Sequence, residues 1–145
     1  TSTAYAETGE MTAQYMHGYM PVDSGELADI TGGNPSWGGF AGAMVSNLHD
    51  LKIWAKALVE GTLLTPEMHR EQVPDTIMYG LGVMNTGKLI GHGGEILGYN
   101  TCMVFDPKDE ITIILFFNRY PNRDEGAAGI LVQDLAEIVF PLVEN

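Results

Sequence analysis

The segment from Tyr79 to Asn118 constrains the fold more than any other part of the chain. It contains two apolar runs, Thr101 to Phe105 and Ile111 to Phe117, and turn signals divide it at Asn85 to Gly87 and at Asp106 to Asp109. Apolar runs of this length between turn residues are typical of β-strands joined by short connections. The segment therefore predicts an antiparallel sheet of about three or four strands.

The run from Ile111 to Phe117 is apolar at every position except Thr112. A strand whose side chains are apolar on both faces is typical of the interior of a sheet that is covered on both sides. We therefore predict that this strand is central and that helices cover its two faces.

Two long helices are predicted, one before the sheet segment and one after it. Asn47 can cap the first, which Gly61 ends, and the second runs from Ala127 to Val143. A shorter helix begins at Thr65 and Pro66, a cap residue followed by proline at the first helical position. The predicted fold class is α+β, an antiparallel β-sheet flanked by helices.

His92 lies among glycines, between Gly91 and the pair Gly93 and Gly94. Without side chains on these neighbours another backbone can approach closely, so this strand end can accept an extended ligand at its edge. The alternative interpretation is a strand that ends in a flexible loop with a surface histidine. Spacing by itself does not separate the two.

The composition excludes several classes of partner. With 7 basic and 19 acidic residues the chain has a formal net charge of −12, which repels phosphate backbones and anionic lipid surfaces. No run approaches the roughly 20 apolar residues of a membrane span. We therefore expect neither nucleic acid nor membrane as a partner.

The single cysteine, Cys102, lies in a strand pattern and is predicted to be a buried, inert thiol.

Other chemistries find little support in the spacing of the candidate residues. The histidines at positions 17, 49, 69 and 92 do not show the spacing of metal ligands, and no helix follows Gly80 to Gly82 as a dinucleotide loop requires. Ser46, His49 and Asp50 together suggest a serine triad, but they lie at the start of one helix, where capping explains Ser46, Asn47 and Asp50. We expect no metal and no cofactor.

Four stretches taken together point to a family. They are Gly42 to Leu51, Gly61 to Glu67, Tyr79 to Val83 and Gly91 to Tyr99. Their order and spacing resemble the C-terminal portion of penicillin-recognising serine hydrolases, the group of class C β-lactamases, D-alanyl-D-alanine carboxypeptidases, D-aminopeptidases and β-lactamase-like esterases. The resemblance extends over most of the chain and implies the β-lactamase/transpeptidase-like fold.

The resemblance also implies which residues bind substrate. In this family a Lys-Thr-Gly or His-x-Gly motif forms the strand beside the substrate, and His92, Gly93 and Gly94 match the second form. The substrate backbone would pair with the strand edge while the histidine orients the scissile group. Tyr99, just past the following loop, is expected either to line the same cleft or to pack on the sheet.

The sequence departs from the family pattern at two points. Gly93 replaces the residue whose hydroxyl contacts a substrate carboxylate, which favours an aminopeptidase or esterase type over recognition of a free C-terminal carboxylate. None of the serines is followed three residues later by the lysine of Ser-x-x-Lys, the nucleophile motif; they are Ser2, Ser24, Ser36 and Ser46. We expect the nucleophile, and with it the catalytic residues, upstream of Thr1.

The chain is accordingly expected to be a C-terminal segment of one domain. Residues 1–42 would form a loop-rich lead-in and residues 43–145 the helices and the sheet. Its expected partners are the missing N-terminal half of the same protein, or a second copy of this chain, together with a small amide, peptide or ester substrate. The family resemblance also suggests an extracytoplasmic or periplasmic location.

Two functional hypotheses follow. In the first, the parent protein is a serine hydrolase that acts by acyl transfer, and this chain by itself is inactive. In the second, the chain is a non-catalytic binding or interaction module that retains the same strand edge.

Overall fold

The structure is a computed structural model that describes residues 2–10, 14–76, 78–120 and 127–143. Its centre is a sheet of five strands between helices, with two small two-stranded sheets in the first part of the chain. The elements are, in chain order, β1 (Ala4–Tyr5), β2 (Tyr19–Pro21), β3 (Leu27–Asp29), a 3-10 helix (Pro35–Gly38), α1 (Gly39–Gly42), β4 (Met44–Val45), α2 (Leu48–Glu60), α3 (Pro66–Gln72), β5 (Met78–Tyr79), β6 (Met84–Asn85), β7 (Ile90–Ile96), β8 (Tyr99–Asp106), β9 (Ile111–Phe117) and α4 (Ala127–Val143).

The central sheet has the strand order β5-β6-β7-β8-β9, and each neighbouring pair is antiparallel. The prediction of an antiparallel sheet flanked by helices is confirmed, although the sheet has five strands. Strands β5 and β6 have two residues each, which is too short to produce a recognisable alternation in the sequence.

The prediction that Ile111 to Phe117 forms a central strand is wrong for the described residues. These residues form β9, which pairs with β8 only and stands last in the strand order. The reason for the error is that two apolar faces indicate cover above and below a strand but do not report what lies beside it. Helices α2 and α4 pack against β9, so the predicted cover is present.

The core consists of two clusters, one on each side of the sheet. One cluster joins the inner face of α2 to β8 and to the residues next to α3 and β6, and its buried members are Ala55, Leu58, Val59, Val73, Val83, Met103 and Phe105. The other joins α4 to the opposite face, and its buried members are Leu89, Cys102, Val104, Ile113, Ala128, Val132 and Phe140. Burial raises the pKa of the Cys102 thiol, as expected for an inert cysteine in a core.

The predicted helix ends are confirmed. The side chain of Asn47 accepts a hydrogen bond from the backbone N–H of Asp50 at 2.8 Å, and Thr65 caps α3 through the N–H of Met68. Gly61 ends α2 with a φ of 68°, a left-handed conformation that glycine adopts without steric cost.

The carboxylate of Asp50 serves a tertiary contact. Its Oδ2 accepts hydrogen bonds from the backbone N–H groups of Ser2 and Thr3 and from the hydroxyl of Thr3. These bonds, the Thr3 hydroxyl foremost, hold the pKa of Asp50 below its usual range. Asp50 thus joins the residues just before β1 to the start of α2.

The segment from Val22 to Gly42, which has the sequence of a loop, contains regular structure. It includes β3, the 3-10 helix and α1, and β2 and β3 form a hairpin. That hairpin reaches the main sheet where the N–H of Tyr19 donates to the carbonyl of Asn118 at 2.9 Å. Among the described residues no helix is long and apolar enough to cross a membrane.

Candidate functional site

The site predicted from the sequence lies along one edge of β7. Strand β6 pairs with β7 only at Ile90 and Gly91, whereas β8 pairs with β7 along its whole length. From His92 to Ile96 no described strand pairs with β7 on the β6 side. The backbone groups that point to this side can pair with an added extended chain.

His92 lies within β7 at the start of the open edge. It is opposite Met103 of β8, and its side chain is half-buried. Its Nε2 atom is 2.7 Å from the hydroxyl oxygen of Tyr79, and the two rings meet edge to face with centroids 5.5 Å apart. The alternative of a strand that ends in a loop carrying this histidine is therefore wrong.

The three glycines around His92 differ in what the fold requires of them. A Cβ atom at Gly91 would lie 2.0 Å from the carbonyl oxygen of Met103, so only glycine fits between β7 and β8 at this position. A Cβ at Gly93 would lie 3.4 Å from the nearest described atom, the carbonyl oxygen of Thr101, which is ordinary contact. At Gly94 the corresponding distance, to the Thr101 hydroxyl oxygen, is 3.6 Å. The described residues therefore explain Gly91 but leave Gly93 and Gly94 without a steric reason.

Tyr99 is not brought next to His92. It begins β8 opposite Ile96, four positions along β7 from His92, which corresponds to about 13 Å along a strand. Its hydroxyl donates to the carbonyl oxygen of Met16 at 2.9 Å, and its ring packs so closely on Gly18 that a Cβ there would clash. Desolvation raises the pKa of this phenol. The structure thus shows Tyr99 hydrogen-bonded to Met16 and packed against Gly18, whereas a contact between Tyr99 and the substrate stays a prediction.

The far end of the open edge lies against the short helices. The Cδ1 atom of Ile96 is 3.5 Å from the places that a Cβ would occupy at Gly38 and at Gly42. Trp37 and Phe40, on the same helices, are exposed. Trp37 is thus available at the surface beside this end of the edge.

The opposite face of β7 carries a different polar contact. Glu95 accepts a hydrogen bond from Nδ2 of Asn100 at 2.6 Å, and Oδ1 of Asn100 accepts one from the backbone N–H of Ala128 at 3.0 Å. Side chains alternate along a strand, so Glu95 faces the α4 side and His92 the α2 side. Glu95 therefore belongs to the packing of α4 and not to the surroundings of His92.

Sequence reasoning missed Tyr79 as a member of the site. The glycines that follow it, Gly80 and Gly82, were visible beside it in the sequence, but they did not indicate a partner for its hydroxyl. The pairing of β5 with β6 and of β6 with β7 brings Tyr79 to His92 across 13 positions of sequence. To predict this contact from the sequence, one would have to know which residues of these short strands pair with each other.

No nucleophile arrangement is formed by the described side chains. Ser46 shares a hydrogen bond with the Thr3 hydroxyl, and no described serine hydrogen-bonds to His92. The letters Tyr-x-Asn, which the resemblance to penicillin-recognising serine hydrolases associates with a proton-relay partner, occur at Tyr120 to Asn122, after β9. Pro121 and Asn122 lie outside the described residues. Within the described ranges no three histidine, cysteine, aspartate or glutamate side chains gather as a metal site would require.

Solved structures with the same architecture are enzymes and penicillin-binding proteins. A D-stereospecific amidohydrolase from Streptomyces sp. matches 81% of this chain with 26% identity and a TM-score of 0.71. A D-amino acid amidase from Ochrobactrum anthropi SV3 matches 97% with 22% identity and a TM-score of 0.70. A penicillin binding protein from Bacillus halodurans matches 90% with 20% identity and a TM-score of 0.64, and the last two likenesses show the fold alone.

The matches leave a large part of each neighbour uncovered. This chain covers 39%, 46% and 44% of those three chains, so it spans less than half their length. The family model described as Beta-lactamase matches residues 1–137 of this chain. Because that match takes in nearly all of the chain and the fold agrees with it, the chain belongs to the beta-lactamase family.

Proposed function

We propose that this chain supplies the substrate-side strand of a serine hydrolase that transfers the acyl group of an amide, a peptide or an ester. The observation that carries the proposal is the open edge of β7, where His92 is followed by two glycines that the described fold does not need. Glycine at such positions keeps an edge free for a second backbone. An extended substrate pairs there, and His92 faces its scissile group.

The nucleophile of the proposed reaction comes from outside these residues. None of the four serines precedes a lysine by three positions, and the solved neighbours are about twice as long as this chain. A second polypeptide segment with Ser-x-x-Lys would approach the open edge of β7, attack the acyl carbon and form an acyl-enzyme that water then hydrolyses. This chain by itself would be inactive.

The substrate class is inferred from Gly93. In relatives with a hydroxyl at this position the hydroxyl contacts a substrate carboxylate, and glycine offers no such donor. We therefore favour amides, esters or peptides cleaved at their amino-terminal end over peptides that are recognised by a free C-terminal carboxylate. The neighbours described as a D-stereospecific amidohydrolase and a D-amino acid amidase are consistent with this choice.

The partner is inferred from the other edge of the sheet. Strand β9 presents seven residues whose outer side pairs with no described strand, and next to it lies a groove of about 350 Å³ lined by Leu48, Lys52, Glu110, Thr112 and Ile114. An apolar strand with a free edge recruits another strand. We propose that the missing N-terminal half of the protein, or a second copy of this chain, pairs with β9. Sedimentation that finds a monodisperse monomer with cooperative unfolding would refute it.

A non-catalytic binding module is the alternative, and the absence of Ser-x-x-Lys among the four serines favours it. Labelling with a fluorescent penicillin and with a fluorophosphonate separates the two functions. Labelling of the full-length parent protein, but not of this chain alone, supports the hydrolase. No labelling of either protein supports the binding module, and labelling of this chain alone contradicts both.

A further inference from the structure

Tyr79 and His92 form a hydrogen bond that the sequence did not predict. The two residues lie on β5 and β7, with the two-residue strand β6 between them. Their hydrogen bond, at 2.7 Å, joins the Tyr79 hydroxyl oxygen to Nε2 of His92. It therefore connects the short outer hairpin to the start of the open edge.

Only one of the two ring nitrogens of His92 is engaged by this bond. Among the described residues Nδ1 has no hydrogen-bond partner. In a neutral imidazole one nitrogen donates and the other accepts, and the bond made by one of them decides which is which. The 2.7 Å contact fits either direction, but a phenol hydroxyl donates more readily than it accepts. When Tyr79 donates, Nε2 is the accepting nitrogen and the proton resides on Nδ1.

We infer that Tyr79 is a positioning residue that holds His92 as the Nδ1–H tautomer, with that N–H available as a donor to a ligand on the edge of β7. The inference rests on the proposed function for its catalytic meaning, but the tautomer is a property of this chain alone. A donor held in place before the substrate arrives stabilises developing negative charge without reorganisation.

The position of Tyr79 argues against a purely structural role. Its side chain is 57% exposed, so it contributes little to the core. The edge-to-face ring contact with His92, at 69° between ring planes, would persist if only the hydroxyl were removed. Tyr79→Phe therefore separates the hydrogen bond from the packing.

The test is ¹⁵N NMR of the imidazole nitrogens of this chain at alkaline pH, where neutral rings predominate. Wild-type His92 should show the Nδ1–H tautomer alone. In Tyr79→Phe the Nε2–H tautomer should appear, because nothing then holds the accepting role on Nε2. An Nε2–H tautomer in the wild type, or an unchanged tautomer in the variant, would overturn the inference.

The chain offers a matched control in the pair Tyr15 and His17. Their ring centroids are 5.2 Å apart, and Nδ1 of His17 bonds to Asp29, not to the Tyr15 hydroxyl. Tyr15→Phe should therefore leave the tautomers of both His17 and His92 as they are. A tautomer change at His17 in this control would mean that loss of a neighbouring hydroxyl alters an imidazole even without a hydrogen bond to it, and would contradict the specific role of the Tyr79 bond.

A second measurement uses the full-length parent protein. At metal sites, loss of an outer partner that orients a histidine typically costs 10- to 100-fold, and we expect Tyr79→Phe to slow acylation by about tenfold. A loss with His92→Ala but none with Tyr79→Phe would overturn the positioning role and leave the proposed function standing. No loss with either variant would overturn the proposed function, and the NMR result would still decide whether Tyr79 orients His92.

Discussion

Asn100 receives a hydrogen bond from the backbone N–H of Ala128 on its Oδ1 atom, at 3.0 Å, and is 3% exposed. The same side chain donates through Nδ2 to Glu95. One buried amide therefore connects the first turn of α4 to the hairpin that carries the open edge.

Asn100→Ala should lower the free energy of unfolding by about 2 to 3 kcal/mol, because it leaves a buried N–H without an acceptor and opens a small cavity. Urea denaturation measures the change. Glu95→Ala is the comparison: it keeps the bond to Ala128, removes only the acceptor of the Asn100 Nδ2 group at an exposed residue, and should cost less, about 1 kcal/mol. Equal losses in the two variants would show that the bond to Ala128 does not carry the effect.

Gly91→Ala should destabilise the protein by about 3 kcal/mol or prevent folding, because its Cβ would overlap the backbone of β8. Gly93→Ala and Gly94→Ala should remain within about 1 kcal/mol of the wild type, since both sites have room and alanine restricts the unfolded chain. Urea denaturation of the three variants provides the comparison. A loss at Gly93 as large as at Gly91 would mean that the fold requires both glycines.

His92→Ala should slow acylation of the parent protein by roughly 100-fold, as does the loss of other preorganised polar groups in active sites. The time course of labelling by a fluorescent penicillin or a fluorophosphonate measures it. His49→Ala, which removes an exposed histidine from α2, is the control and should label at the wild-type rate. An unchanged labelling rate in His92→Ala would show that His92 has no role in acylation.

The β2–β3 hairpin should lose stability in acid. Hydrogen bonds from the Thr31 side chain and backbone, with His17 as a further partner, lower the pKa of Asp29 from 3.8 to about 2. A carboxylate whose pKa is lowered by folding contributes stability above the unfolded-state value and loses it as the pH falls through the folded-state value. Asp29 should therefore stabilise the folded chain above about pH 4 and cease to do so near pH 2.

Asp29→Asn tests this dependence. The wild type should be more stable than the variant at pH 5, and the difference should shrink as the pH falls from about 4 to about 2. Thermal or urea denaturation across this pH range measures it. Asp23→Asn, which removes a charge from the connection between the same two strands, is the matched control. A difference that is constant with pH, or that appears equally in the control, would contradict the assignment.

Much of the local structure was predictable because its causes lie within a few residues. Asn47 and Thr65 cap the helices that follow them, and Gly61 ends α2 at the expected place. Helix α4 runs from Ala127 to Val143, as its apolar spacing indicates. The glycines around His92 pointed to two alternatives, an open strand edge and a strand that ends in a loop, and their spacing did not separate the two.

The sequence by itself determined α2, α3 and α4, the turns between the main strands, the antiparallel sheet and the family, because each depends on short-range spacing or on the order of motifs. Only the tertiary structure decided that β9 ends the sheet, that Gly91 alone of the three glycines is needed by the fold, and that Tyr79 meets His92. All three findings depend on which strands become neighbours and in which register they pair. Register joins residues that are far apart in the sequence, where the local pattern of residues does not indicate the pairing.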